Sequence, residues 1–175
     1  MLVVQGMLGW LEWQPIQLLP LLITLLSGLL LGFGVALVEE LLFRGWLLNE
    51  LEAEYPNRIA ALGCALIFAI AHFLKPWDQI LQSWPQFPGL VLAGVVLIWA
   101  RWQRGSGLGL PMGLHGGWVW GIAVINSLGW VHYTGLVPEW VTGIGGNPLA
   151  GVSGLVLLTL TGMGVRCLPL KQRGR

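Results

Sequence analysis

Residues 13–45 read WQPIQLLPLLITLLSGLLLGFGVALVEELLFRG. No charge interrupts this stretch from Trp13 to Val38, and a helix crossing a bilayer needs about 20 such residues. The run then ends on two adjacent acids, Glu39 and Glu40, with Arg44 close behind. Four more charge-free runs follow: Ile59 to Leu74, Gln79 to Ala100, Gly105 to Pro138 and Trp140 to Val165. Across 175 residues there are only nine Lys or Arg and eight Asp or Glu, a 10 % charged fraction. A soluble domain typically carries about a quarter. Disorder, a coiled coil, a nucleic-acid binder and most soluble folds are excluded on that ground. The net charge of +1 implies neither an acidic nor a basic partner.

Lipid offers no partner to a free backbone group, so the runs read as helices. A transmembrane barrel needs period-two alternation, which is absent. The expectation is a single all-α domain over residues 1–175, a polytopic membrane helix bundle with about five transmembrane helices. They fall near 15–54, 59–74, 88–100, 108–128 and 148–166, with a break expected at Gly32-Phe33-Gly34. Pro15, Pro88, Pro111 and Pro148 stand where helices can begin. The spans 59–74 and 88–100 are short, so the segment from Lys75 to Phe87 is expected to dip into the bundle.

Arg58, Arg101, Arg104, Arg166, Lys171, Arg173 and Arg175 fall on one side of a five-span chain. The positive-inside rule then places the N-terminus outside and the C-terminal tail, 166–175, in the cytoplasm. Most of the eleven Trp lie near the ends of apolar runs, as interfacial anchors do. No basic n-region precedes the first run, so no cleavable signal is expected. Cys64 and Cys167 make neither a disulfide framework nor a zinc site. Gly105, Gly109, Gly113, Gly117 and Gly121 form a stripe at four-residue spacing, read as a close-packing face that presses His115 against its neighbours. His132 reads as a solvated loop residue.

Charges inside an apolar helix cost roughly 2.5–3.5 kcal/mol each at mid-bilayer, which makes them functional candidates. Glu40 and Arg44 are four apart and pair on one helical face. Glu39 points about 100° away and needs a different partner. Tyr55-Pro56-Asn57 reads as a turn between antiparallel helices. At 1.5 Å per residue, Glu40 and His72 both lie about 20 Å from that turn, and Arg44 and Phe68 are each one turn nearer to it. His115 lies beyond Arg104 at a depth of about 16 Å. A carboxylate beside histidines can activate a water. No Gly-x-Ser-x-Gly is present and neither cysteine adjoins a His, so water is preferred to a covalent nucleophile. Glu39, His72 and His115 also make an acceptable set for a divalent metal such as zinc, though no His-Glu-x-x-His supports it.

Three motifs stand in order: Glu39-Glu40-x-x-x-Arg44, Phe68-x-x-x-His72, and His115, with Val119 four residues later. Together they resemble the CPBP family of intramembrane proteases, which includes CAAX prenyl endopeptidases and ABI-type proteins linked to bacteriocin immunity. The resemblance implies a catalytic core over about 33–128 and an endopeptidase that hydrolyses peptide bonds at or within the membrane. It also implies a multi-pass protein of the bacterial inner membrane or an equivalent. Glu39 or Glu40 would activate water, with His72 and His115 orienting it or binding a metal. The base is assigned to Glu39, because the four-residue spacing gives Glu40 to Arg44. Val119 departs from the polar residue of the family pattern, and Trp118 or Asn126 would have to stand in. The expected partners are membrane lipid and a membrane-associated peptide or protein substrate, with no nucleic acid. So short a chain is not expected to serve prenylated peptides specifically. Two other readings stay open: a non-catalytic scaffold or immunity-type protein keeping the fold, and an ion or proton pathway through the Glu–His cluster.

Overall fold

A computed structural model describes residues 1–103 and 107–168. A short helix α1 (Leu2–Met7) leads into strand β1 (Leu11–Trp13). Next comes one uninterrupted rod made of α2 (Leu18–Glu39), a π-helical segment (Glu40–Leu47) and α3 (Leu48–Glu54). Helix α4 (Asn57–Ala71), α5 (Trp77–Ser83), α6 (Phe87–Gln103) and α7 (Gly109–Leu128) follow. Strand β2 (Val131–Tyr133), α8 (Glu139–Thr142) and α9 (Val152–Cys167) complete the chain. Two helical stretches, Leu18–Glu54 and Trp77–Gln103, are long and apolar enough to cross a membrane, and two shorter apolar helices span Asn57–Ala71 and Val152–Cys167.

Burial along α2 is inverted relative to a soluble helix. Gly28, Gly32 and Ala36 are buried, while Leu19, Ile23, Leu26, Leu30 and Val38 are exposed. In a membrane there is no hydrophobic drive between helices, and small residues let their backbones approach, which is the pattern α2 shows. A Cβ on Gly32 would stand 2.7 Å from the Gly116 carbonyl oxygen and 2.9 Å from the Trp120 nitrogen. That closeness joins α2 to α7. Helix α6 sits between α4 and α9, where Gly94 meets Ala65 and Gly162 meets Val96 and Trp99. The buried apolar core runs through Phe43, Leu48, Ala65, Phe68, Leu90 and Ile98.

Several expectations are corrected. The rod does not break at Gly32-Phe33-Gly34, because those residues accommodate α7 instead of ending a helix. The irregularity lies at Glu40–Leu47. The glycine stripe is not the contact face: a Cβ at Gly109, Gly113, Gly117 or Gly121 meets nothing within 4 Å. The packed glycine of α7 is Gly116, whose Cβ would lie 3.1 Å from the Phe33 ring. Segment α5 buries no residue, so it lies on the surface and does not dip inward. Helix is not the sole element either. Strands β1 and β2 pair antiparallel, with Glu12 opposite His132. They sit outside the long apolar helices, and His132 is exposed as expected. Arg104, Gly105, Lys171, Arg173 and Arg175 lie outside the described residues.

Candidate active site

The π-helical segment decides how the first motif is presented. An i→i+5 turn is rare and is met mostly as a single wide turn at functional sites. Here the Leu48 N–H reaches back to the Phe43 carbonyl. The same carbonyl also accepts from the Cys64 thiol of α4, Sγ to O 3.2 Å. Two residues on, the Gly45 carbonyl accepts from the Asn49 side-chain amide. Side chains thus bond two carbonyls of the widened turn, those of Phe43 and Gly45.

Within it Glu40 and Arg44 are fully buried and paired, Nη1 to Oε1 2.8 Å. Arg44 also donates to the Gly94 carbonyl of α6 at 3.4 Å and lies over the Phe68 ring, 4.3 Å from its centroid. The expected level of Arg44 with Phe68 is therefore met. At the neighbouring level Glu40 bonds His115, and His72 faces the adjacent Glu39. His115 Nδ1 is 2.8 Å from the same Glu40 Oε1 that Arg44 contacts. That oxygen belongs to a carboxylate already receiving the guanidinium, so His115 Nδ1 is the donor. Glu40 thereby fixes the ring's tautomer and orientation.

Glu39 is the carboxylate left over. Its side chain is 27 % exposed, against 0 % for Glu40. Its Oε2 stands 3.6 Å from His115 Nε2 and 4.0 Å from His72 Nε2. His72 closes α4 as its C-cap, one residue after the helix ends, and its Nδ1 lies 2.8 Å from the Phe68 carbonyl oxygen. A carbonyl only accepts, so Nδ1 carries a proton and Nε2 is the ring nitrogen turned toward Glu39. Phe68 stacks edge-on against both histidines, at 4.6 Å from the His72 ring and 5.9 Å from the His115 ring. It is the wedge that sets their separation.

Six of the expected residues thus meet: Glu39, Glu40, Arg44, Phe68, His72 and His115. Trp118 and Asn126 do not join them. Among the described residues neither makes a hydrogen bond to the cluster, and Asn126 is exposed near the far end of α7. Glu39, His72 and His115 have the donor chemistry of a zinc site. Yet among the described residues no set of three or more His, Cys, Asp or Glu side chains is gathered to hold a metal ion.

Sequence reasoning missed Cys64 and the Gly94 carbonyl, since a small buried thiol and a main-chain oxygen leave no motif. It also read Arg101 as a topology residue. Arg101 is buried at 3 % exposure and donates to Asn49 Oδ1 at 2.5 Å. Glu52 accepts from the Trp102 indole at 2.7 Å and stands 3.9 Å from Arg101. This second cluster fastens α3 to the end of α6, one turn below the active-site arginine.

Searches of curated proteins and of solved structures return no match. A family model described as Type II CAAX prenyl endopeptidase Rce1-like matches residues 20–121. That range is more than half the chain and contains all six converging residues. The three motifs resemble the same membrane-associated protease group, and the chain belongs to the Rce1-like type II CAAX prenyl endopeptidase family.

Proposed function

We infer that this protein is an intramembrane endopeptidase in which Glu39 activates a water for attack on a peptide carbonyl. The observation that carries the reading is the division of labour between adjacent carboxylates. Glu40 is committed to Arg44 and His115 through one oxygen. Oε2 of neither carboxylate has a hydrogen-bond partner among the described residues, but that of Glu39 faces two imidazole nitrogens and its side chain is partly exposed. Paired titratable groups in unlike surroundings mark acid and base roles.

A water bound to Glu39 Oε2 also lies within reach of His72 Nε2, which orients it by accepting its second proton. As the water oxygen attacks the carbonyl carbon, Glu39 takes its proton. The tetrahedral oxyanion needs a donor. His115 in its doubly protonated form supplies one at Nε2 while Nδ1 keeps its bond to Glu40. Collapse of the intermediate breaks the C–N bond. The proton held by Glu39 passes to the leaving amine, giving one carboxylic acid and one amine.

The substrate class is a peptide segment at or in the membrane. Cleavage of a membrane-anchored reporter peptide by the purified protein tests the reading. Glu39→Gln is expected to reduce the rate to background, and a mutant cleaving at the wild-type rate overturns it. Elemental analysis of the active preparation is expected to find no stoichiometric metal. A stoichiometric zinc whose removal and return switch activity off and on replaces the metal-free mechanism.

Val119 favours a second reading, in which the fold serves as a non-catalytic scaffold or immunity-type partner. An apolar side chain stands where the resemblance expects a polar one. In that case Glu39→Gln leaves the cellular phenotype intact.

A further inference from the structure

Away from the Glu–His cluster, at the end of the bundle where α2 begins and α7 finishes, lies a partly open cavity of about 160 Å³, with Glu139 exposed at its edge. It is lined by Trp10, Tyr133, Glu139, Thr142, Gly143 and Gly146 among others. Nothing in the proposed peptidase chemistry uses it. Its volume is on the order of five waters at about 30 Å³ each. Two aromatic rings and a carboxylate line it, with no Lys, Arg or His among its lining residues.

The walls are set before any ligand arrives. The β1–β2 ladder ties the two aromatic segments together, and the Thr134 N–H donates to the Trp10 carbonyl at 3.1 Å. The Thr134 hydroxyl donates to the Gly9 carbonyl at 2.8 Å. Glu139 is anchored by the Gly145 N–H, 3.2 Å from Oε2. Gly143 turns the loop at φ 143°, where a Cβ would strike the Asn147 carbonyl oxygen at 2.5 Å. Burial pushes the Tyr133 phenol above its ordinary value, so the ring stays neutral at physiological pH.

Aromatic faces attract an organic cation through their quadrupole, and a carboxylate adds the counter-charge. A hard metal ion would need more oxygen ligands than one carboxylate and a hydroxyl. We propose that this cap cavity binds an alkylammonium group. The level of the site points to the headgroup of a zwitterionic phospholipid as its source. Trp13 and Trp140 are exposed around the cap, and Trp13 meets Trp130 edge-on at 5.4 Å. Tryptophans collect at the headgroup level, and the first leucine of α2 follows within a turn or two of Trp13.

The test uses the full chain in a nonionic detergent with tetramethylammonium chloride as the probe and sodium chloride as the control. Calorimetry is expected to show saturable binding of tetramethylammonium alone, weakened on the order of tenfold by Glu139→Gln. That change keeps an oxygen for the Gly145 N–H, so loss of binding reports the charge and not the loop. Trp10→Ala is expected to weaken binding similarly. Native mass spectrometry after reconstitution in mixed phosphatidylcholine and phosphatidylglycerol vesicles then separates the sources. Preferential retention of phosphatidylcholine by the wild type, lost in Glu139→Gln, identifies the headgroup. Saturable tetramethylammonium binding without lipid preference identifies a free organic cation. Absence of saturable binding, or equal binding by wild type and Glu139→Gln, overturns the proposal.

Discussion

Two neighbouring glutamates with unlike burdens are the centre of the molecule. Glu40 and Arg44 are both fully buried, and removing one partner of such a pair leaves an uncompensated charge that costs about 3–5 kcal/mol. Glu40→Gln is therefore expected to lower the thermal unfolding midpoint in detergent strongly. Glu39→Gln, at a partly exposed position, is expected to change stability by roughly 0.5 kcal/mol or less while abolishing cleavage. Equal destabilisation by the two changes would contradict the division of roles. A smaller effect belongs to Cys64. Cys64→Ala strips a donor from the Phe43 carbonyl and is expected to cost about 1 kcal/mol, whereas Cys64→Ser keeps the donor and most of that stability. Refolding titrations of the two variants measure the difference.

Between helices the contact is made by particular glycines. Gly32→Ala pushes a methyl into the Gly116 carbonyl oxygen and is expected to cost about 1–3 kcal/mol by overpacking. Gly117→Ala meets nothing within 4 Å and is expected to be neutral or to stabilise α7 by up to about 1 kcal/mol. Unfolding midpoints of the two variants, compared side by side, decide which face of α7 packs. Spacing alone could not decide it, because the stripe and Gly116 are both plausible small-residue faces and the choice depends on the rotation of α7 about its axis. The same limit applies to which histidine meets which glutamate. Counting residues from the Tyr55–Asn57 turn fixes depth, and it placed Arg44 beside Phe68 correctly. Azimuth depends on the π-helical turn, which leaves no mark in a 3.6-residue periodicity. The apolar runs made the helices legible to within a few residues, and the three motifs made the site's members legible. Three-residue strands such as β1 and β2 are shorter than any period can reveal.

Across the whole chain, the long helices alternate in direction. The β1–β2 ladder and the Gln5–Ser153 bond bring the starts of α2 and α9 and the end of α7 to one end. The Arg101–Asn49 bond and the Arg166–Trp99 stacking gather α3 and the ends of α6 and α9 at the other. Five crossings with the second end cytoplasmic are the expected topology. Single cysteines introduced at Asn57 and at His132 in a chain lacking Cys64 and Cys167 are expected to react with an impermeant maleimide from opposite faces. Labelling of both from the same face would refute that arrangement. The bond between Glu40 and His115 spans 75 residues of sequence, and this separation has a consequence in time. At synthesis rates of about 5–20 residues per second, His115 leaves the ribosome roughly 4–15 s after Glu40. Arg44, made within a second of Glu40, is at hand to neutralise it from the start of that interval. Arg44 is thus available to the nascent chain before the finished cluster exists: it can offset the charge of Glu40 while the histidine that completes the cluster has yet to be translated.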